Sequence, residues 1–149
     1  MTVIVTEILI DKTPTEVQET FMKFDTFKDW SKALVKIDAN GKDPKTLVAG
    51  DKLRVRLEPE GASPMNFSPV VVENTSGVFS WKGTLLADFV FRGTHKFEFV
   101  PVDGGKKTKL IQSEEFGGFL NPVIDYFTYD STKKAFATFN ESLKVKSEQ

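Results

Sequence analysis

The chain has 149 residues, 20 basic against 21 acidic, a net charge of -1, one histidine and no cysteine. Near-neutrality excludes the basic footprint of a nucleic-acid binder, and the lack of cysteine excludes disulfides and thiolate zinc sites. Hydrophobic residues at 40% and charged residues at 28% are ordinary for a globular protein, but 14 phenylalanines need a large core or a pocket wall. The length suits one domain over 1–149, enough to bury about 70% of its unfolded surface. The N-terminus lacks a basic region before an apolar run, so no signal peptide is expected. No stretch approaches 18 apolar residues, so no integral membrane association is expected, and the default location is cytoplasmic.

Thr2 to Ile10 alternates and is β-branched, a first strand. Thr13, Pro14 and Glu16 then carry a capping-box signature, opening a helix whose inner face is Val17, Phe21 and Phe24. Asp25 to Trp30 reads as a second short helix or turn. Ala33 to Ala39 is a second strand, closed by Asn40-Gly41. Gly50 to Glu58 is a third, with Leu53, Val55 and Leu57 on one face and Lys52, Arg54 and Arg56 on the other, hence one buried and one wet face. Pro59 to Pro64 is a loop. Met65 to Asn74 is a fourth strand, in which Pro69 marks a bulge or edge. Ser76-Gly77 turns into a fifth strand, Val78 to Leu86. Ala87 to Phe91 connects it to a sixth, Arg92 to Val100. Asp103-Gly104-Gly105 is a hairpin turn, and Lys107 to Phe116 is the seventh strand.

Gly117-Gly118 breaks the strand before a long helix, Phe119 to Val145. Asn121 and Pro122 suit its first positions. Leu120, Ile124, Phe127, Ser131, Ala135, Thr138 and Ser142 recur at helical spacing, with Val123, Phe139 and Leu143 beside them. About 24 residues span roughly 36 Å. Such a helix needs a broad apolar surface, and the rest of the chain is strands. Consecutive strands joined by short turns make an antiparallel sheet with helices on one side, an α+β architecture.

The order and the residues that fill it resemble the SRPBCC superfamily, the START-like, helix-grip proteins that include small single-domain polyketide cyclases and dehydrases. The resemblance covers nearly the whole chain. It is carried by Trp81-Lys-Gly83, by His95-Lys-Phe97, by Glu114-Glu-Phe116-Gly-Gly118, and by the opening Thr13-Pro14 with Asp25 and Trp30. It implies a curved seven-stranded antiparallel sheet wrapped around the C-terminal helix, with two short helices between the first two strands. It also implies a deep apolar cavity between sheet and helix for a small hydrophobic ligand: a lipid, sterol, polyketide or hormone.

Strand parity and the helix stripe assign the cavity wall to Phe79, Trp81, Phe97, Phe99, Leu110, Phe116, Ile124 and Phe127. The same residues also suit plain core. A two-residue turn at Gly104-Gly105 sets Phe99 opposite Leu110, Phe97 opposite Gln112 and His95 opposite Glu114. The preceding hairpin, closed by Ala87 to Val90, can be aligned so that Gly83 faces Gly93, Trp81 faces His95 and Phe79 faces Phe97. Trp81, His95 and Glu114 then form one row across three strands, near enough for an imidazole to meet a carboxylate. The expectation is that His95 and Glu114 satisfy each other as the polar end of an apolar pocket. Gly83 and Gly93 would leave room there for a ligand or the helix. Gln112 joins the ligand-binding set.

His95 and Glu114 are also the only catalytic candidates, as acid and base. The bland readings are a paired half-buried histidine and a salt bridge at the sheet's end. Phe89 and Phe91 suit a gate at the cavity mouth or a loop tucking in its own rings. One histidine without cysteine leaves no metal-ligand pattern, and no cofactor motif is present, so no metal and no cofactor are expected. Few titratable groups face the pocket, which favours binding. The alternatives are a cyclase, dehydrase or hydratase using His95 and Glu114, and a protein-interaction module resembling the Hsp90-ATPase-activator branch, which would need an exposed apolar patch.

Overall fold

A computed structural model describes residues 2–85, 91–118 and 121–149, and only the backbone of residues 85, 91 and 121–128. β1 (Thr2–Ile10) buries Ile4 and Ile10 and exposes Val3, Val5 and Leu9. The Thr13 hydroxyl then accepts the Glu16 N–H at 3.3 Å, and the Glu16 carboxylate accepts the Thr13 N–H at 3.4 Å. This closes the capping box that the spacing predicts and starts α1 (Pro14–Met22), which buries Val17, Phe21 and Met22. Phe24 packs inward from the following 3-10 turn, Phe24–Thr26, rather than from α1 itself, and α2 (Phe27–Trp30) follows.

β2 (Leu34–Asp38), β3 (Arg54–Leu57) and β4 (Met65–Phe67) form one antiparallel sheet. β5 (Val70–Thr75), β6 (Val78–Leu85), β7 (Phe91–Val102) and β8 (Lys107–Gly117) join β1 in a second, ordered β1-β8-β7-β6-β5. This corrects the expected seven strands in one sheet. The stretch Met65 to Asn74 is two strands, because Pro69 has no N–H with which to continue a ladder. The Pro69 carbonyl instead accepts the Leu53 N–H at 2.9 Å, and the Val71 N–H donates to the Asp51 carbonyl at 2.8 Å. With the Lys52–Val70 bridge, these bonds tie the two sheets together.

The hairpins have the expected register. Gly104 and Gly105 take φ of 65° and 86°, positive values that a tight two-residue turn needs at both central positions. Phe99, Phe97 and His95 therefore pair with Leu110, Gln112 and Glu114. Gly83, Trp81 and Phe79 pair with Gly93, His95 and Phe97.

α3 (Asn121–Glu148) has 28 residues, about 42 Å at 1.5 Å per residue. It lies against β1 and α1. Its buried stripe among the described side chains is Ala135, Phe136, Phe139, Asn140, Leu143 and Ser147. Thr138 and Ser142, expected on that stripe, sit half-buried at its edge. The far end of α3 is pinned to the end of β1. The Lys144 ammonium donates to the Leu9 carbonyl at 3.0 Å, and the Glu148 carboxylate accepts the Asp11 N–H at 2.8 Å.

Phe21 is the centre of the core. The ring centroids of Phe24, Phe27, Phe79, Phe97, Phe99 and Phe139 lie 4.7–6.2 Å from its own, within the range of favourable edge and tilted aromatic contact.

Candidate functional site

The pleat sends Phe79, Trp81 and Gly83 of β6, Gly93, His95, Phe97 and Phe99 of β7, and Leu110, Gln112, Glu114 and Phe116 of β8 to one face. The pairing rows are Trp81–His95–Glu114–Ile4 and Phe79–Phe97–Gln112–Thr6. A buried chain of polar side chains crosses these rows. His95, 5% exposed, has Nδ1 at 3.1 Å from Glu114 Oε2 and Nε2 at 2.8 Å from Gln112 Oε1. Gln112 Nε2 donates to the Phe136 carbonyl at 3.1 Å and to Asn140 Oδ1 at 2.7 Å. Asn140 Nδ2 donates to the Thr6 hydroxyl at 2.9 Å, and that hydroxyl donates to the Gln112 carbonyl at 3.3 Å. Gln112 and Asn140 are each 1% exposed, where an unpaired amide would cost about 1–3 kcal/mol. Closure of this network among its own members is therefore a condition of folding it inside.

The His95 ring is held by aromatic faces. Trp81 stacks on it at 4.9 Å and 29°, Phe97 lies at 4.7 Å, and Phe136 of α3 meets it edge-on at 4.7 Å. Glu114 differs from the rest of the chain in two ways. Its side chain keeps 15% of its exposure. Its Oε2 is nonetheless shut off from solvent without a well-directed hydrogen bond among the described residues, His95 Nδ1 being the near donor.

The expectation for Gly93 needs correcting. A Cβ on Gly93 would stand 2.9 Å from Glu114 Oε1 and 3.4 Å from the Phe116 ring, so the space that Gly93 leaves is filled by those side chains. At Gly83 the neighbour is the Phe67 ring at an ordinary 3.8 Å. Phe79, Phe97, Phe99 and Leu110 face the expected way, but there the interior is closed by Phe21, Phe139 and their neighbours in one buried cluster. At those four positions the wall is packed core. Trp81 is buried as well, whereas Phe116, like Glu114, is only half-buried. The side chains of Ile124, Phe127, Phe89 and Phe91 lie outside the described residues.

Sequence reasoning missed Thr6, Phe136 and Asn140. Each carries a positional signal: Thr6 shares the inward parity of Ile4 and Ile8, and Asn140 follows Phe136 by four residues and precedes Leu143 by three. Two grooves among the described residues lie elsewhere. One, of about 450 Å³, runs along the outer side of α3 beside Trp30, and one, of about 790 Å³, lies between the Phe24 turn and β2. The exposed apolar residues Val3, Val5 and Leu9 are spaced along one edge strand. No described helix is long and apolar enough to cross a membrane.

A polar–aromatic face of an antiparallel sheet set against one long C-terminal helix defines a helix-grip domain. A family model described as polyketide cyclase / dehydrase and lipid transport matches residues 1–148. The chain belongs to that family, within the SRPBCC superfamily. Among solved structures it is similar to the Zhui aromatase/cyclase of Streptomyces sp. R1128, with 10% identity over 99% of this chain and 93% of that one and a TM-score of 0.75. It is similar to protein TTHA0849 of Thermus thermophilus, with 11% identity, 98% and 97% coverage and a TM-score of 0.73. A norcoclaurine synthase point mutant of Thalictrum flavum aligns with 14% identity, 98% and 93% coverage and a TM-score of 0.71. At such identities these likenesses concern the fold. No curated protein matches the chain.

Proposed function

We propose that this chain, as one START-like domain, binds a small hydrophobic molecule of lipid, sterol or polyketide type between the sheet and α3. The ligand lies toward the Glu114–Phe116 end of the sheet, with Glu114 as its polar anchor. One observation carries the reading. A carboxylate aimed at a buried aromatic face, with one oxygen enclosed and short of partners, is expensive to keep unless something uses it. The family supports a hydrophobic ligand. Burial at Phe99 and Leu110 against half-burial at Glu114 and Phe116 favours that end of the interior. Native mass spectrometry of the purified chain tests this, alone and with 1-hexadecanol, cholesterol or 2-naphthol. A one-to-one hydrophobic adduct is expected; no adduct in any of the four samples overturns the reading.

A second reading, favoured by the direct His95–Glu114 contact, is an enzyme acting on the same kind of molecule. The aromatase/cyclase and synthase among the structural neighbours share the fold that would house it. It requires that His95→Ala abolish turnover of a bound compound while leaving its affinity in place.

A further inference from the structure

The hydrogen-bond chain behind His95 has only one consistent direction. A backbone carbonyl can only accept, so the contact with the Phe136 carbonyl identifies the Gln112 nitrogen. Gln112 Oε1 is then the atom that faces His95, and His95 Nε2 must carry a proton to meet it at 2.8 Å. Asn140 and Thr6 continue in the same sense and end on the Gln112 carbonyl. No member can reverse without setting two acceptors or two donors face to face.

Nδ1 is therefore the only ring nitrogen left to vary, and it stands 3.1 Å from a carboxylate oxygen. A bare Nδ1 there would oppose two lone pairs in a space closed to water. A proton on Nδ1 removes that clash and sets a cation beside the carboxylate, although the contact is not a well-directed hydrogen bond. Imidazole is the stronger base of the two side-chain types, and the stacked Trp81 face favours a cation. Among the described residues Glu114 is the only titratable group against the ring. The other neighbours are Trp81 of β6, Phe97 of β7, Gln112 of β8 and Phe136 of α3.

We infer that Thr6, Asn140 and Gln112 are positioning residues that hold His95 as an imidazolium and, through it, Glu114 as an anionic hydrogen-bond acceptor, so that the site selects hydrophobic ligands carrying an O–H or N–H donor and rejects carboxylates. Both ring nitrogens of His95 face protein groups, and the group left to meet a ligand is the partly exposed carboxylate. This rests on the binding reading above and names its ligand class.

The test compares affinities for 1-hexadecanol, cholesterol and 2-naphthol with those for their methyl ethers, and for palmitate and 2-naphthoate, on the purified chain. Each bound alcohol should exceed its ether by about tenfold or more, the gain of one hydrogen bond to a charged group. The carboxylates should bind more weakly still, and Glu114→Gln should shrink both differences. Equal affinities for alcohols and ethers, or tighter carboxylates, overturn this inference while the binding reading stands. Binding of none of the compounds overturns both. His95 is the only histidine, so its two ring nitrogens can be read without ambiguity by long-range proton–nitrogen NMR in the unliganded chain. Both should carry a proton; a bare Nδ1 overturns the inference.

Discussion

The two ends of the space between sheet and α3 are built on different physics. At the Phe99–Leu110 end, rings from α1, β6, β7 and α3 converge on Phe21, and dispersion and burial hold them with little demand on direction. At the His95–Glu114 end, five polar side chains on β1, β7, β8 and α3 meet with fixed donor and acceptor roles. The first end supplies stability. The second fixes donor and acceptor roles around the chain's one histidine. Aromatic packing answers to lost volume, whereas a directional network answers to a lost partner.

The largest effect is expected at the aromatic end. Phe21→Ala removes the ring on which the others converge and should lower unfolding stability by about 3–5 kcal/mol. Denaturant titration measures it, and a loss under about 1 kcal/mol would mean that Phe21 is not the keystone. At the polar end, Gln112→Leu leaves His95 Nε2 and Asn140 Oδ1 without partners and should cost about 1–3 kcal/mol. It should also change the His95 nitrogen signature, which Phe21→Ala should leave in place in the folded fraction. The same signature after both changes would erase the distinction between the ends.

Gly93→Ala sharpens the comparison with a smaller perturbation. The new methyl would meet Glu114 Oε1 at 2.9 Å, so the carboxylate must shift. A cost of about 1 kcal/mol is expected, with a His95 nitrogen shift larger than the stability change suggests. The smallest effect lies at the exposed tie between α3 and β1. The Asp11 N–H, and then Lys144, hold the Glu148 carboxyl below the usual range. A depressed carboxyl stabilises above its unfolded value, and that contribution is lost as pH falls through its folded value. The wild type should therefore lose slightly more stability on acidification than Glu148→Gln. Parallel acid profiles would show that the tie contributes nothing.

Much of this was legible in the residues. Thr13, Pro14 and Glu16 announce α1 because a capping box needs only local geometry. Gly104-Gly105 sets the β7–β8 register, because a tight turn with positive φ at both centres leaves one alignment. The side-chain period of two then carries His95 and Glu114 to the same face. The split of Met65 to Asn74 was half legible: Pro69 marks an interruption, but not that its carbonyl would bond Leu53 and pass the chain to a second sheet.

Local periodicity and turn chemistry thus determined most of the elements and the β7–β8 register that sets His95 opposite Glu114, since each depends on residues close in the chain. Only the tertiary structure decided that Phe21 would fill the interior beside Phe97 and Phe99, and that Glu114 would take the space beside Gly93. It alone brought Asn140, from a helix 28 residues beyond Gln112, and Thr6, from a strand 106 residues before it, to close the network behind His95. Those contacts join distant segments. Their partners are chosen by which side chains the packing of helix on sheet brings together, and nothing in the local pattern encodes that choice.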